Sequence, residues 1–261
     1  MEQITSLQNP KIKSIVALQE KSRERRKQQL FVIEGMREIG LAIEGGYELH
    51  SVFVCPELNN SFQAIIPGKP LMYEVSKAVF NKIAYRENSD GILALAVPRS
   101  LNINHIKLSA NPFVIILESV EKPGNLGAVL RTADAAQVDA VIVCDPLSDV
   151  YNPNVVRSSV GCLFTNQVAV CTSDEALVWL HKNNISSYAA ELKSSQWYHE
   201  TDMRKPCAVL MGTEADGLTG FWLQNADARI KIPMRGKIDS LNVSVSTAIL
   251  TFEAMRQRGF Q

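Results

Sequence analysis

The sequence predicts an α/β protein of two domains, the second built on a parallel sheet. Three observations carry that expectation. The chain has 261 residues, more than one core usually organises, and 46% of them are hydrophobic, enough for two cores. Extended and helical patterns alternate along its length. In the second half the extended runs FVIIL, AVIVC and AVLM are almost wholly apolar, as strands are when helices cover both faces of a parallel sheet.

Within residues 1–100, Pro10 opens a helix through PKIKSIVALQEKSRERRKQQ, with Ile12, Ile15, Val16 and Gln19 on one face. LFVIE follows as a buried strand. GMREIGLAIEGG is helical through Met36, Ile39, Gly40 and Ile43 and stops at a glycine pair. ELHSVFVC is a strand, VSKAVFNKIAY a helix and GILALAV a strand. Residues 101–111, bracketed by Pro98 and Pro112, lack a period and form the expected linker. From residue 112 the alternation restarts: strand FVIILES, a helix through NLGAVLRTADAAQ, strand DAVIVC, a helix near PNVVRSSVG and strand QVAVC. Helix SDEALVWLHKN then leads to strands ISSYAAEL, CAVLMG and ARIKIPM, and a last helix lies in SLNVSVSTAILTFEAMRQR. In that helix Leu241, Val245, Ile249 and Phe252 form the stripe expected to be buried, while Ser240, Ser244, Thr247 and Thr251 form a polar one.

Lys plus Arg and Asp plus Glu both total 27, so the formal net charge is zero and any nucleic acid must be held by a local basic patch. KSRERRKQQ is the one basic run, with Lys21, Arg23, Arg25, Arg26 and Lys27. It reads either as a solvated helix face paired with Glu20 and Glu24 or as a phosphate contact. The five cysteines are odd in number and never form a CxxC pair, which is how reduced core cysteines look. MEQITSLQNPKIKS has no apolar core of signal-peptide length, and no stretch approaches 18 uninterrupted apolar residues. A cytoplasmic protein is expected. Four scattered histidines without paired spacing lead us to expect no metal.

Three strand ends carry unusual residues, and in open parallel sheets ligands gather at such ends. The first is ESVEKPGNLGAVLRTADA, where Gly124 and Asn125 sit at a helix start and Asn125 can cap it. From spacing alone, Arg131 reads as a surface arginine paired with Asp134 at i+3. The second is AVLMGTEADGLTGFW. GTEADGLT imitates a phosphate loop, but Leu218 stands where the lysine belongs, which excludes ATP binding by that route. The turn instead presents one carboxylate, Glu214. The third is IKIPMRGKIDSLNVSVSTAIL, where Asp239 or Ser240 can cap the last helix. Asn242, in its first turn, is an amide that both donates and accepts, suited to a ribose or adenosine partner. No GxGxxG follows any strand, which argues against a dehydrogenase.

Together the segments read NxGxxxRTA, GxEADG and IPMxGxxxSLNVSV, in that order, each after an apolar strand. In this combination residues 112–258 resemble the SpoU (TrmH-type) branch of the SPOUT RNA methyltransferases. The first hundred residues, mainly through RRKQQLFVIEGMRE, resemble the small ribosomal-protein-like RNA-binding domain of the two-domain rRNA members. The resemblance implies an RNA substrate-binding domain over 1–100, a linker over 101–111 and a methyltransferase domain over 112–261. That domain would be a parallel-sheet SPOUT fold with a C-terminal trefoil knot, an exception to the rule that chains avoid threading loops.

The implied activity is transfer of the methyl of S-adenosylmethionine to a ribose 2′-hydroxyl, in ribosomal RNA by the presence of the extra domain. Transfer RNA, or a non-catalytic role in RNA binding and ribosome assembly, are the alternatives. Carried over residue by residue, Asn125 and Arg131 match the first motif's functional pair, Glu214 the second motif's carboxylate, and Ser240 and Asn242 the third motif's polar pair. The cofactor is expected among the loops around Gly212, Ile232 and Leu241, held mainly by backbone. The resemblance further implies a homodimer with cofactor sites close to the subunit interface. Ser246 departs from the family, which usually has alanine there; a small hydroxyl should pack similarly.

Overall fold

A computed structural model describes residues 1–59, 70–86, 89–194 and 196–260. The chain divides into two compact units, residues 1–99 with 149–165, and residues 100–148 with 166–261.

In the first unit β1 (Glu2–Ile4), α1 (Pro10–Glu20), α2 (Ser22–Gln28), β2 (Phe31–Glu34) and α3 (Met36–Glu44) precede β3 (Leu49–Val54), β4 (Leu71–Val75), α4 (Lys77–Ile83) and β5 (Ile92–Ala96). The sheet runs β1-β4-β3-β5-β2. It is mixed: β4 is parallel to both β1 and β3, and β5 is antiparallel to β3 and β2. The short strands β1 and β4 escaped the sequence reading because each turns few apolar residues inward; β1 buries only Ile4.

The single helix expected from Pro10 is two. Asn9 caps α1 through Lys11 N at 2.8 Å, and Ile12, Ile15 and Leu18 are fully buried. Lys21 then turns extended, at φ −122° and ψ 114°. The turn changes what the basic run does. Arg25 is buried: its guanidinium donates to Leu18 O at 2.6 Å and pairs with Asp149 Oδ2 at 2.6 Å. Asp149 opens the segment 149–165, which carries α6 (Pro153–Ser158) and α7 (Cys162–Thr165). This segment packs with the first unit through rings: Tyr151 lies 4.5 Å from Phe31 between centroids, and Phe164 lies 5.0 Å from Tyr47.

In the second unit β6 (Phe113–Glu118), α5 (Pro123–Ala135), β7 (Ala140–Cys144), β8 (Val168–Cys171), α8 (Ser173–Lys182) and β9 (Ser186–Ala190) lead to β10 (Gln196–Trp197), β11 (Cys207–Met211), α9 (Gly220–Asn225), β12 (Ala228–Lys231) and α10 (Val243–Gln257). Among the described residues its seven strands are all parallel, in the order β10-β12-β9-β11-β6-β7-β8. The pleat sends Val114, Ile116, Ile142 and Leu210 to one face, where they meet Trp179 and Leu180 of α8 and Trp222 of α9. α5 and α10 pack on each other and against β7 and β11. The stretch expected as a linker contributes Ile103 to this core, through a short 3-10 turn at Ile103–His105.

The buried stripe of α10 differs from the one expected. Val243, Thr247, Leu250, Thr251, Ala254 and Met255 face inward, whereas Val245 and Phe252 are exposed. Thr247 can be buried because its hydroxyl donates to Val243 O at 2.7 Å, one turn back. A polarity count cannot anticipate that self-satisfaction. All five cysteines are free, and Cys55, Cys144 and Cys207 are buried. Among the described residues no helix is long and apolar enough to cross a membrane.

Candidate active site

The C-terminal ends of β9, β11 and β12 lie side by side and open into one cavity of about 520 Å³. Chain order turns back on itself here, with β11 inserted between β9 and β6, which is where open α/β sheets leave a crevice. Gly212, Ile232 and Leu241, expected around the cofactor, all line this cavity, and so do Glu214, Ser240 and Ser246.

The wall after β11 is a closed loop. Thr213 N donates to Gly217 O at 3.0 Å and Gly217 N returns to Thr213 O at 3.1 Å. A Cβ on Gly212 would stand 2.0 Å from the Gly217 carbonyl carbon, so that position must be glycine, and Gly217, at φ +71°, takes a left-handed conformation that glycine adopts without strain. The far end is pinned by Glu118, buried at the end of β6. Its carboxylate accepts from Thr219 N at 2.8 Å and from the Thr219 hydroxyl at 2.7 Å.

Glu214 projects from this loop into a polar cluster gathered from three segments. Asn125 Nδ2 donates to Glu214 Oε1 at 3.1 Å, Asn242 Nδ2 donates to the same oxygen, and Lys122 forms an ion pair with Oε2. Asn242 Nδ2 also donates to Asn125 Oδ1 at 3.2 Å. Lys122 beside it, then the two amides, hold the Glu214 carboxyl below the usual carboxylate range, and Glu214 in turn raises the Lys122 ammonium.

Two cap assignments are corrected. α5 begins at Pro123 with Lys122 as its N-cap residue, so Asn125 lies inside the first turn, and its amide is turned to Glu214 instead of to its own backbone. α10 is capped by Asn242, not by Asp239 or Ser240: Oδ1 accepts from Ser244 N at 2.9 Å while Nδ2 serves Glu214. One amide thus starts the helix and ties it to the loop.

The structure brings Asn125, Glu214 and Asn242 into hydrogen-bonded contact. Ser240 sits on the cavity lining, its hydroxyl 3.4 Å from Asp239 Oδ1. Arg131 is outside the cluster. Six residues beyond Asn125 it lies about 9 Å further along α5 and about 120° around it, and it is exposed. It takes part in none of the seven ion pairs formed among the described residues. The cluster residue missed in the sequence is Lys122, which pairs with Glu214; its only signal was a cation directly before the helix-opening Pro123.

Residues 112–252 match the SpoU rRNA Methylase family. The chain belongs to that family. Residues 9–94 match the MRM3-like substrate binding domain. Along 97% of its length this SpoU chain is 29% identical to the 23S rRNA (guanosine(2553)-2'-O)-methyltransferase RlmP of Bacillus subtilis strain 168, 98% of which is covered. The fold matches the crystal structure of an RNA 2'-O ribose methyltransferase with a TM-score of 0.85 at 39% identity, covering 98% of this chain and 99% of that one. It matches an AdoMet-bound rRNA methyltransferase from Sinorhizobium meliloti with a TM-score of 0.89 at 29% identity, covering 98% and 97%.

The SpoU cavity fits S-adenosylmethionine. Its size is that of a small-molecule site, Leu218, Leu223, Ile230 and Leu250 offer apolar walls for a purine, and its lining carries both carboxylates (Glu191, Glu214, Asp216 and Asp239) and ammonium groups (Lys193 and Lys231), suited to a ligand that bears charges of both signs.

Proposed function

We propose that this chain transfers a methyl group from S-adenosylmethionine to a ribose 2′-hydroxyl of ribosomal RNA. The observation that carries the reading is the convergence of Gly212, Ile232 and Leu241 on one cavity whose wall is the Glu214 loop. Bound there, S-adenosylmethionine supplies an electrophilic methyl on a sulfonium sulfur. The hydroxyl oxygen takes that carbon as the carbon–sulfur bond breaks, and it must give up its proton. Arg131, permanently charged, is a poor proton acceptor, so its role is to hold the substrate phosphate and stabilise the developing alkoxide. Asn125, Glu214 and Asn242 act as one unit that fixes the loop against the starts of α5 and α10, with Ser240 at the cavity edge orienting the ribose or cofactor. Residues 1–100 serve as the RNA substrate-binding domain, in line with their match to a substrate binding domain. Val245 and Phe252, apolar and exposed on α10, support the homodimer implied by the family, and the rRNA target supports a cytoplasmic location.

The test is incubation with radiolabelled S-adenosylmethionine and total RNA, then mapping of alkali-resistant ribose methylation. Label in ribosomal RNA above an Arg131→Ala control is expected. Label in transfer RNA alone would redirect the substrate, and no label over the control would favour a non-catalytic RNA-binding protein.

Lys122 extends the cluster. Lys122→Met should let Glu214 titrate at higher pH than in the wild type and carry the acid limb of the methylation profile with it. The sign follows from the depressed carboxyl: its contribution is present above the unfolded value and is lost as pH falls through the folded one, so removing the ammonium brings that loss to higher pH. The carboxyl-carbon NMR shift of Glu214 reads this directly, and an unmoved titration would mean that the ion pair is idle.

A further inference from the structure

We propose that the outer face of α2, formed by Arg23, Arg26 and Lys27, is a docking face for RNA phosphates. The inference rests on the RNA methyltransferase reading and names where the first unit would hold its substrate. Positions i, i+3 and i+4 of a helix share one face, and these three residues occupy them. Arg25 falls on the opposite side. The extended residue Lys21 sets that orientation by ending α1 and restarting the helix turned, so that Arg25 is directed at Leu18 O, Gln19 O and Asp149.

The basic run is thereby sorted by geometry. Arg25 is consumed inside the unit, 4% exposed, whereas Arg23, Arg26 and Lys27 are exposed and form no ion pair among the described residues. Glu24, the one acid on α2, is half-buried and accepts from Gln28 Nε2 at 3.2 Å. The helix is fixed at its C-terminal end, since Gln29 closes it in the left-handed region at φ +52° and its side chain donates to Arg26 O at 2.7 Å. A chain without net charge that concentrates three cations on one turn of a fixed helix offers a local footprint to a polyanion, and guanidinium forks match phosphate oxygens.

The test is filter binding of an in vitro 23S rRNA transcript, from 50 to 200 mM salt, to the full chain carrying Arg23→Gln, Arg26→Gln and Lys27→Gln together. Loss of three phosphate contacts should lower the slope of log affinity against log salt by about 2 to 3 and weaken binding at 50 mM by about 10-fold or more. Calorimetric affinity for S-adenosylmethionine should stay at the wild-type value, because the cofactor cavity lies wholly in the second unit. If the triple variant fails to bind the cofactor, the single Arg26→Gln is used instead, with a slope change of about 0.7 to 0.9. A slope and affinity within twofold of wild type would overturn the proposal while leaving the methyltransferase reading intact. Failure of the wild type itself to bind or methylate the RNA would remove both.

Discussion

Arg131→Ala is expected to lower the single-turnover methylation rate by roughly 100- to 1,000-fold, the scale of losing one preorganised electrostatic contact to a developing oxyanion. Arg131→Lys should retain part of the rate, since the charge remains while the planar fork is lost. Cofactor affinity should be unchanged in both variants, because Arg131 does not line the cavity. That pairing of a large rate loss with intact cofactor binding separates a role in the transition state from a role in building the pocket. Arg131 is exposed on the middle of α5 with no ion pair among the described residues, so its removal leaves no buried partner behind and the fold should survive. Near wild-type rates in both variants would take the residue out of the chemistry.

Arg25→Gln should destabilise the first unit by about 3 to 5 kcal/mol, the usual cost of leaving half of a buried ion pair. Arg25 is 4% exposed and its partner Asp149 23%, so the carboxylate keeps only part of its hydration. The glutamine would also leave the carbonyls of Leu18 and Gln19 short of the guanidinium that now serves them. Differential scanning calorimetry should show the transition of this unit lowered by about 10 °C or more, with cofactor binding retained. Arg26→Gln, one residue on and exposed, should change stability by less than about 0.5 kcal/mol. Equal effects at the two positions would mean that the Asp149 pair contributes nothing.

These two arginines show where reading the sequence stops. Both sit in helical segments, among residues whose period was legible, and in both cases spacing suggested a solvated ion pair. Arg25 is instead buried by a turn at Lys21 and by Asp149, a residue 124 positions away. Helical period could not reveal either, since one depends on the backbone conformation of a single residue and the other on a segment of the second half of the sequence packing with the first. The stripe of α10 failed for a related reason: Thr247 satisfies its hydroxyl within the helix and so can be buried, leaving Val245 and Phe252 outside.

What the sequence determined by itself was the order of the apolar parallel strands, the three motifs at their ends and hence the family, because those depend on local runs and on residue types at fixed spacing. Tertiary structure decided which motif residues meet. Glu214, Asn125 and Asn242 come from a loop and two helix starts, 28 to 117 residues apart, and they join because β11 inserts beside β6 and α5 packs on α10. Lys122 joins them for the same reason: the loop closed by the Thr213–Gly217 pair presents the Glu214 carboxylate to the starts of the two neighbouring helices, and Lys122 stands at one of them.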